Sequence, residues 1–306
     1  MARAQHVGVD ENGLGPRLGP MVVTGALVAL DAPMHEVLAA GVSSLVSDSK
    51  ALCAHGDMAR VEALVLAILD VHLGLRPRTY AELQAMVGLQ DDARLRALCP
   101  RGAAPRMCFE AEVPLPAFGA AVDARAMQDA ARLRAMGMSL VALRQGYACA
   151  RLLNVERARG VSRFDVDLDL MIELVAALRA RAEGDVEAVC GKVGGRKSYG
   201  AAMSSRWPLV AVLEETAAVS RYAVPSVGTV CFARDADASD PAVSLASLFG
   251  KYARELAMER IHRYFARHIE GIAPVSGYHD PVTARYVEAT RLVREREGID
   301  DGCFAR

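Results

Sequence analysis

Apolar positions open the chain as two strand-length runs, residues 7–10 and 21–30, parted by Gly13, Gly15, Pro16, Gly19 and Pro20. That pattern predicts two strands joined by a glycine-rich loop, a hairpin-like start. Residues 34–46 read as helix and lead to the polar Ser47-Asp48-Ser49-Lys50. Val61, Leu64, Val65, Ala67, Ile68 and Val71 recur at helical spacing and predict an amphipathic helix over 58–73. Residues 75–125 hold Pro100, Pro105, Pro114 and Pro116, with one strand-like run at 106–113. Helices are predicted over 126–133, 140–153 and about 168–182, the last stopping at Gly184. The short apolar runs 186–190, 209–213 and 227–233 read as strands. Asp240 caps, and Pro241 opens, a long helix to about residue 268. Strands alternating with helices after an opening hairpin predict an α/β fold, a mixed sheet flanked by helices. No internal repeat or low-complexity tract interrupts it.

Composition narrows the class. The 306 residues are 52% hydrophobic and 24% charged, enough for a large core in an ordinary globular chain. No apolar run reaches membrane-spanning length, and the first residues lead straight into a strand, so neither a membrane span nor a signal peptide is expected. The seven cysteines never form a Cys-x-x-Cys pair. They therefore predict no zinc site, no disulfide-linked partner and a reducing cytoplasm. Net charge is −1, from 36 basic and 37 acidic residues. That balance speaks against a broad basic footprint for nucleic acid, but it leaves room for a local patch.

The most informative chemistry is Asp10-Glu11, two acids at the close of the first apolar run, followed by three glycines and two prolines within nine residues. A strand end can present carboxylates to a metal, and glycines let backbone approach a ligand closely. The plain alternative is a solvated strand end. Asp48-Ser49-Lys50 alone is only a polar loop. Asp235, Asp237 and Asp240 precede a helix whose N-terminus welcomes carboxylates without any metal, and they lack the glycine and distal glutamate of an EF-hand. Lys251 and Arg254 lie on successive helical turns, within reach of phosphate or simply solvated. Residues 191–198 tempt a P-loop reading, but Arg196 stands where the Walker pattern needs glycine. What remains is two glycines with Lys192, Arg196 and Lys197, either a phosphate-approach loop or a basic turn. Asp165, Asp167 and Asp169 read as helix capping, and His279 as inert.

The opening segment resembles that of ribonuclease HII, which reads roughly Gly-Ile-Asp-Glu-Ala-Gly-Arg-Gly-Pro. In the same order follow Asp48-Ser49-Lys50, similar to an Asp-Ser-Lys of that family, and the segment 232–251, similar to its late aspartate, Ala-Ser pair and lysine. Gly277-Tyr278 resembles a later Gly-Tyr whose tyrosine packs on the sugar. The resemblance spans about residues 7–52 and 185–285. It implies an RNase H-like core in two parts (1–75 and 166–270), a mostly helical insertion (76–165) and a C-terminal extension (271–306). It further implies Asp10, Glu11 and Asp237 as catalytic metal ligands for Mg2+ or Mn2+. Gly13, Leu14, Gly15, Lys50, Lys192, Arg196, Lys251 and Tyr278 become substrate contacts. The implied activity is hydrolysis of the RNA strand of RNA–DNA hybrids or of embedded ribonucleotides, by a cytoplasmic monomer whose partner is nucleic acid.

Two departures matter. The family's Gly-Arg-Gly is Gly13-Leu14-Gly15 here, and Cys190-Gly191 stands where the family carries a further strand-end aspartate. A soft thiol is a poor substitute for a hard oxygen ligand. Glu187, Glu214, Glu215 and Asp235 are the acids that could fill the gap. The other readings are a catalytically impaired nucleic-acid-binding module on the same fold and another metal-dependent phosphodiesterase.

Overall fold

The computed structural model describes residues 3–42, 57–100, 112–119 and 121–306. Seven strands form one mixed sheet: β1 (Ala4–Asn12), β2 (Met21–Leu30), β3 (Met138–Ala148), β4 (Val186–Gly191), β5 (Ala211–Glu215), β6 (Val219–Val224) and β7 (Gly228–Ala233). Their order across the sheet is β3-β2-β1-β4-β7-β6-β5. β1 pairs antiparallel with β2 and parallel with β4, and β4 pairs parallel with β7. The C-terminal ends of β1, β4 and β7 therefore lie at one end of the sheet, where Val9 pairs Cys190 and Gly191 pairs Ala233.

Helices cover both faces. The longer ones are α1 (Met58–Leu73), α2 (Tyr80–Val87), α3 (Ala124–Ala135), α4 (Ala150–Ala158), α5 (Arg163–Arg179), α6 (Pro241–Ala266) and α7 (Pro281–Ala289). One core joins α1, α3 and α6 to Ala26, Val28, Leu30 and Leu140; a second joins α5 to Val7, Val9, Val23, Leu27 and Cys190. This is the two-faced burial that a sheet between helix layers requires. Alternation along β1 sends Val7 and Val9 to the α5 face, and His6, Gly8 and Asn12 to the α6 face. Gly8 permits the closest contact: a Cβ there would lie 2.1 Å from the Ala242 backbone carbon.

The expected elements 58–73 and 21–30 are present at those bounds, and the long helix ends at Ala266. The expected helix over 140–153 is not there. Met138–Ala148 is β3, pairing along its length with β2, and the helix begins only at Ala150. A short apolar run does not distinguish buried strand from buried helix; the open edge of β2 decided it. β3 lies within 76–165, so that segment contributes a strand to the main sheet. The helix expected from about 168 begins at Arg163, where Ser162 and Asp165 form a reciprocal capping box. The expected helix over 34–46 is described as Met34–Ala39. Asp48-Ser49-Lys50, and most of the run 106–113, lie outside the described residues.

Candidate active site

β1 runs on through the acidic pair to Asn12, with Asp10 opposite Thr24 and Glu11 opposite Val23. The two carboxylates thus leave adjacent positions of an extended strand, toward opposite faces. On the α6 side, Asp10 Oδ1 lies 3.2 Å from the place a Cβ of Gly191 would occupy. Position 191 is therefore where a strand-end acid on β4 would meet Asp10. Cys190 faces the other way, fully buried in the α5 core, where burial pushes its thiol well above the usual range. It is no oxygen-ligand substitute.

On the α5 side, Glu11 is partly enclosed. Burial raises its carboxyl pKa, opposed by the Leu14 N–H that donates to Oε2 at 3.1 Å. Asp167, in the second turn of α5, is completely buried. Neither Asp167 oxygen has a hydrogen-bond partner among the described residues. Burial pushes its pKa far up, and the nearby Glu11 and Asp10 charges push it further. Of the three acids read from the sequence as a capping group, Asp165 does cap α5; Asp167 is an internal, buried carboxylate that feels the Glu11 and Asp10 charges. The cue was in its spacing: Val166, Leu168, Leu170 and Met171 are all buried, which leaves Asp167 on a helix with little solvent-facing surface.

The candidates for the missing acid do not reach it. Glu187 lies back along β4 opposite His6, Glu214 and Glu215 lie on the edge strand β5, and Asp235 lines a separate basic cavity. Asp237 sits in the single turn Ala236–Ser239 just past β7, at the same end of the sheet as Asp10. Asp240 caps α6 through the Ala242 and Val243 N–H groups, and its Oδ2 accepts from the His6 Nε2–H at 2.7 Å.

The glycine loop is held from below by arginines. Gly13 adopts φ +90°, and a Cβ there would meet the Arg254 side chain at 2.9 Å. Arg306 donates to the Gly13, Leu14 and Gly19 carbonyls at 2.7, 3.3 and 2.6 Å, and Arg163 donates to Leu14 at 3.3 Å. Tyr278 is half exposed, with the Arg254 guanidinium 5.2 Å from its ring centre. Gly277 accepts the Arg17 and Leu18 N–H groups, which fixes Tyr278 beside the loop. Gly13 and Tyr278 are thus linked through Arg254. Lys251 is partly exposed on α6, one turn before Arg254. Arg196 is tied to Asp165, and Lys192 Nζ donates to the Thr216 carbonyl and Ser220 hydroxyl at 2.8 and 3.0 Å. Lys50 lies outside the described residues.

Asp10, Glu11 and Asp167 offer only carboxylate oxygens, the donor type that Mg2+ and Mn2+ prefer. The buried, unpaired Asp167 is chemically suited to a cation. Among the described residues, however, no three His, Cys, Asp or Glu side chains are already set to hold one. No described helix is long and apolar enough to cross a membrane. Cys99, Cys149, Cys190, Cys231 and Cys303 are free thiols.

No family model and no curated protein matches the chain. Solved structures do. A chain of the complex of PCNA with RNase HII from Archaeoglobus fulgidus aligns over 98% of this chain and 93% of its own length, at 16% identity and a TM-score of 0.46. Ribonuclease H2 from Pyrococcus horikoshii OT3 aligns over 98% and 92%, at 16% and 0.47. Bst-RNase HIII in complex with Mn2+ aligns over 99% and 66%, at 15% and 0.46. The sheet itself defines the class: an α/β protein with a mixed seven-stranded sheet flanked by helices.

Proposed function

We propose that the chain is a divergent ribonuclease HII-like, metal-dependent endonuclease acting on the RNA strand of RNA–DNA hybrids or on embedded ribonucleotides. One observation carries this reading: a wholly buried, unpaired Asp167 lies close enough to Glu11 and Asp10, near the end of β1, to feel both charges. Unpaired buried carboxylates destabilise a fold, so one within reach of two other acidic charges points to a use. Mg2+ or Mn2+ would be held by Asp10, Glu11 and Asp237, with Asp167 a further buried carboxylate within reach of the Glu11 and Asp10 charges. When bound, the ion would activate water and stabilise the leaving oxygen. The chain's own part is positioning. The Gly13-Leu14-Gly15 backbone approaches the sugar–phosphate chain, Tyr278 offers an aromatic face, and Lys251 and Lys50 offer charge to phosphate. Arg196, already paired with Asp165, has less to offer.

A second reading, a nucleic-acid-binding module without turnover, is favoured by Gly191 in the acid's place. Cleavage of a duplex carrying one embedded ribonucleotide, in Mg2+ or Mn2+, separates the two. The nuclease reading expects cleavage by the wild type and a loss of at least about 100-fold in Asp10→Asn. Duplex binding with no cleavage by either protein would establish the binding module instead.

A further inference from the structure

Beyond the acids, the chain leaves β4 through Lys192-Val193-Gly194-Gly195-Arg196-Lys197, which walls a cavity of about 280 Å3. Lys192, Gly194, Gly195 and Lys197 line one side; Ala217, Arg234 and Asp235 line the other. Three cations thus face one carboxylate. Among the described residues none of the three cations makes an ion pair, and the hydrogen bonds of Lys192 and Arg234 go to neutral oxygens. Lys192 is braced by Thr216 and Ser220. The Ser220 hydroxyl donates in turn to the Lys197 carbonyl at 2.6 Å, and Arg234 donates to the Ala217 carbonyl at 3.3 Å. The loop is therefore fixed by hydrogen bonds to neutral oxygens, with more cations than carboxylates around the cavity. Gly194, at φ +56°, and Gly195 are exposed, and their N–H groups make no hydrogen bond among the described residues. Cations joined by free backbone N–H groups on a glycine turn make an anion-binding concavity. Burial first, then the neighbouring Arg234 and Lys197 charges, lower the Lys192 ammonium pKa, opposed by the more weakly acting Glu214.

We propose that this cavity is a phosphate-binding subsite that takes a backbone phosphodiester flanking the one offered to the acids. Gly191, beside Asp10, immediately precedes Lys192, so a strand crossing the acids is carried onto the loop. The backbone assignment rests on the nuclease or nucleic-acid-binding reading above. The phosphate chemistry does not, since free phosphate would make the same contacts.

The test uses the full chain carrying Asp10→Asn, without divalent ions, so that binding is read apart from cleavage. Lys197 and Arg234 are exposed, and Lys197→Gln with Arg234→Gln leaves the core untouched. Duplex affinity is measured by fluorescence anisotropy across a salt series. The double substitution is expected to reduce the slope of log affinity against log salt by about 1. A methylphosphonate scan of the duplex should find one linkage whose neutralisation weakens the parent and not the double variant. Inorganic phosphate, followed by thermal shift, forms the second arm. Protection of the parent alone, with unchanged duplex slopes, assigns the cavity to free phosphate and overturns the backbone assignment. Unchanged slopes and no phosphate protection overturn the subsite altogether. If the wild type never cleaves but the slope change holds, the nuclease reading falls and the subsite stands.

Discussion

Asp167 is the residue whose environment is hardest to reconcile with stability alone. It carries two unpaired oxygens in a fully buried position, flanked by the core residues Val166 and Leu168 and within reach of the Glu11 and Asp10 charges. Replacing it by the near-isosteric asparagine removes the buried charge while keeping the volume. Asp167→Asn is expected to raise the unfolding free energy at pH 8 by about 1–3 kcal/mol, read by urea denaturation. If the acid serves the site, the same variant binds Mn2+ more weakly in a calorimetric titration. That combination is the stability–function trade-off typical of working residues. A destabilised variant with unchanged Mn2+ binding would make Asp167 a structural group. The opening motif announced Asp10 and Glu11. Asp167 escaped notice because an acid near a helix start is usually a cap, and only the packing of α5 against β1 shows that it is buried.

At the scale of elements, His72 ties three of them together. Near the end of α1 it meets the Ala130 carbonyl of α3 through Nε2 at 2.9 Å, and it accepts the Leu140 N–H of β3 at Nδ1, 3.0 Å away. That pairing requires neutral imidazole with the proton on Nε2. Burial, with help from Arg134, lowers its pKa in the folded state. The unfolded chain therefore binds the proton more tightly than the fold does. The contribution of His72 is complete above the ordinary imidazole value of about 6.5 and is lost as pH falls through it, down to the lower folded value. Urea midpoints are expected to drop between about pH 7.5 and pH 5 in the wild type. In His72→Phe that part of the drop disappears, although the variant is weaker at pH 7.5 by about 1–3 kcal/mol because two backbone groups lose their partner. An equal acid loss in both proteins would place the sensitivity elsewhere. β3 shows the complementary limit of local reading: its buried run suits a helix equally well, and its strand character depends on β2, more than a hundred residues earlier.

Across the whole molecule, the two ends of the chain meet. Arg306 reaches the glycine loop near the N-terminus, and burial together with Arg254 and Arg163 lowers its guanidinium pKa to about 10. Its main chain also donates to the Arg17 carbonyl at 3.0 Å. The segment after α6 is thus part of the candidate site's scaffold. Removing the clamp in Arg306→Ala is expected to cost about 2–3 kcal/mol in unfolding free energy. Amide hydrogen exchange over residues 13–19 should accelerate more than in β2, which is held by its own ladder. Uniform acceleration across both would mean that Arg306 stabilises the fold generally and not the loop. The near-neutral overall charge is also resolved at this scale, since Lys192, Lys197 and Arg234 concentrate positive charge at one cavity while the average stays balanced.

The order of hydrophobic runs, the caps at Asp240 and Pro241, and the glycines after Asp10-Glu11 determined much by themselves. They specified the α/β class, the opening strands and the α1 and α6 helices, because each depends on neighbours within a few residues; the strand that carries Asp10-Glu11 runs on to Asn12. Tertiary structure alone decided that 138–148 is a strand, that position 191 faces Asp10 while Cys190 faces the core, that Asp167 is buried without a partner, and that Arg306 supports the glycine loop. Those outcomes arise from pairing and packing between segments far apart in the chain, which no local spacing encodes.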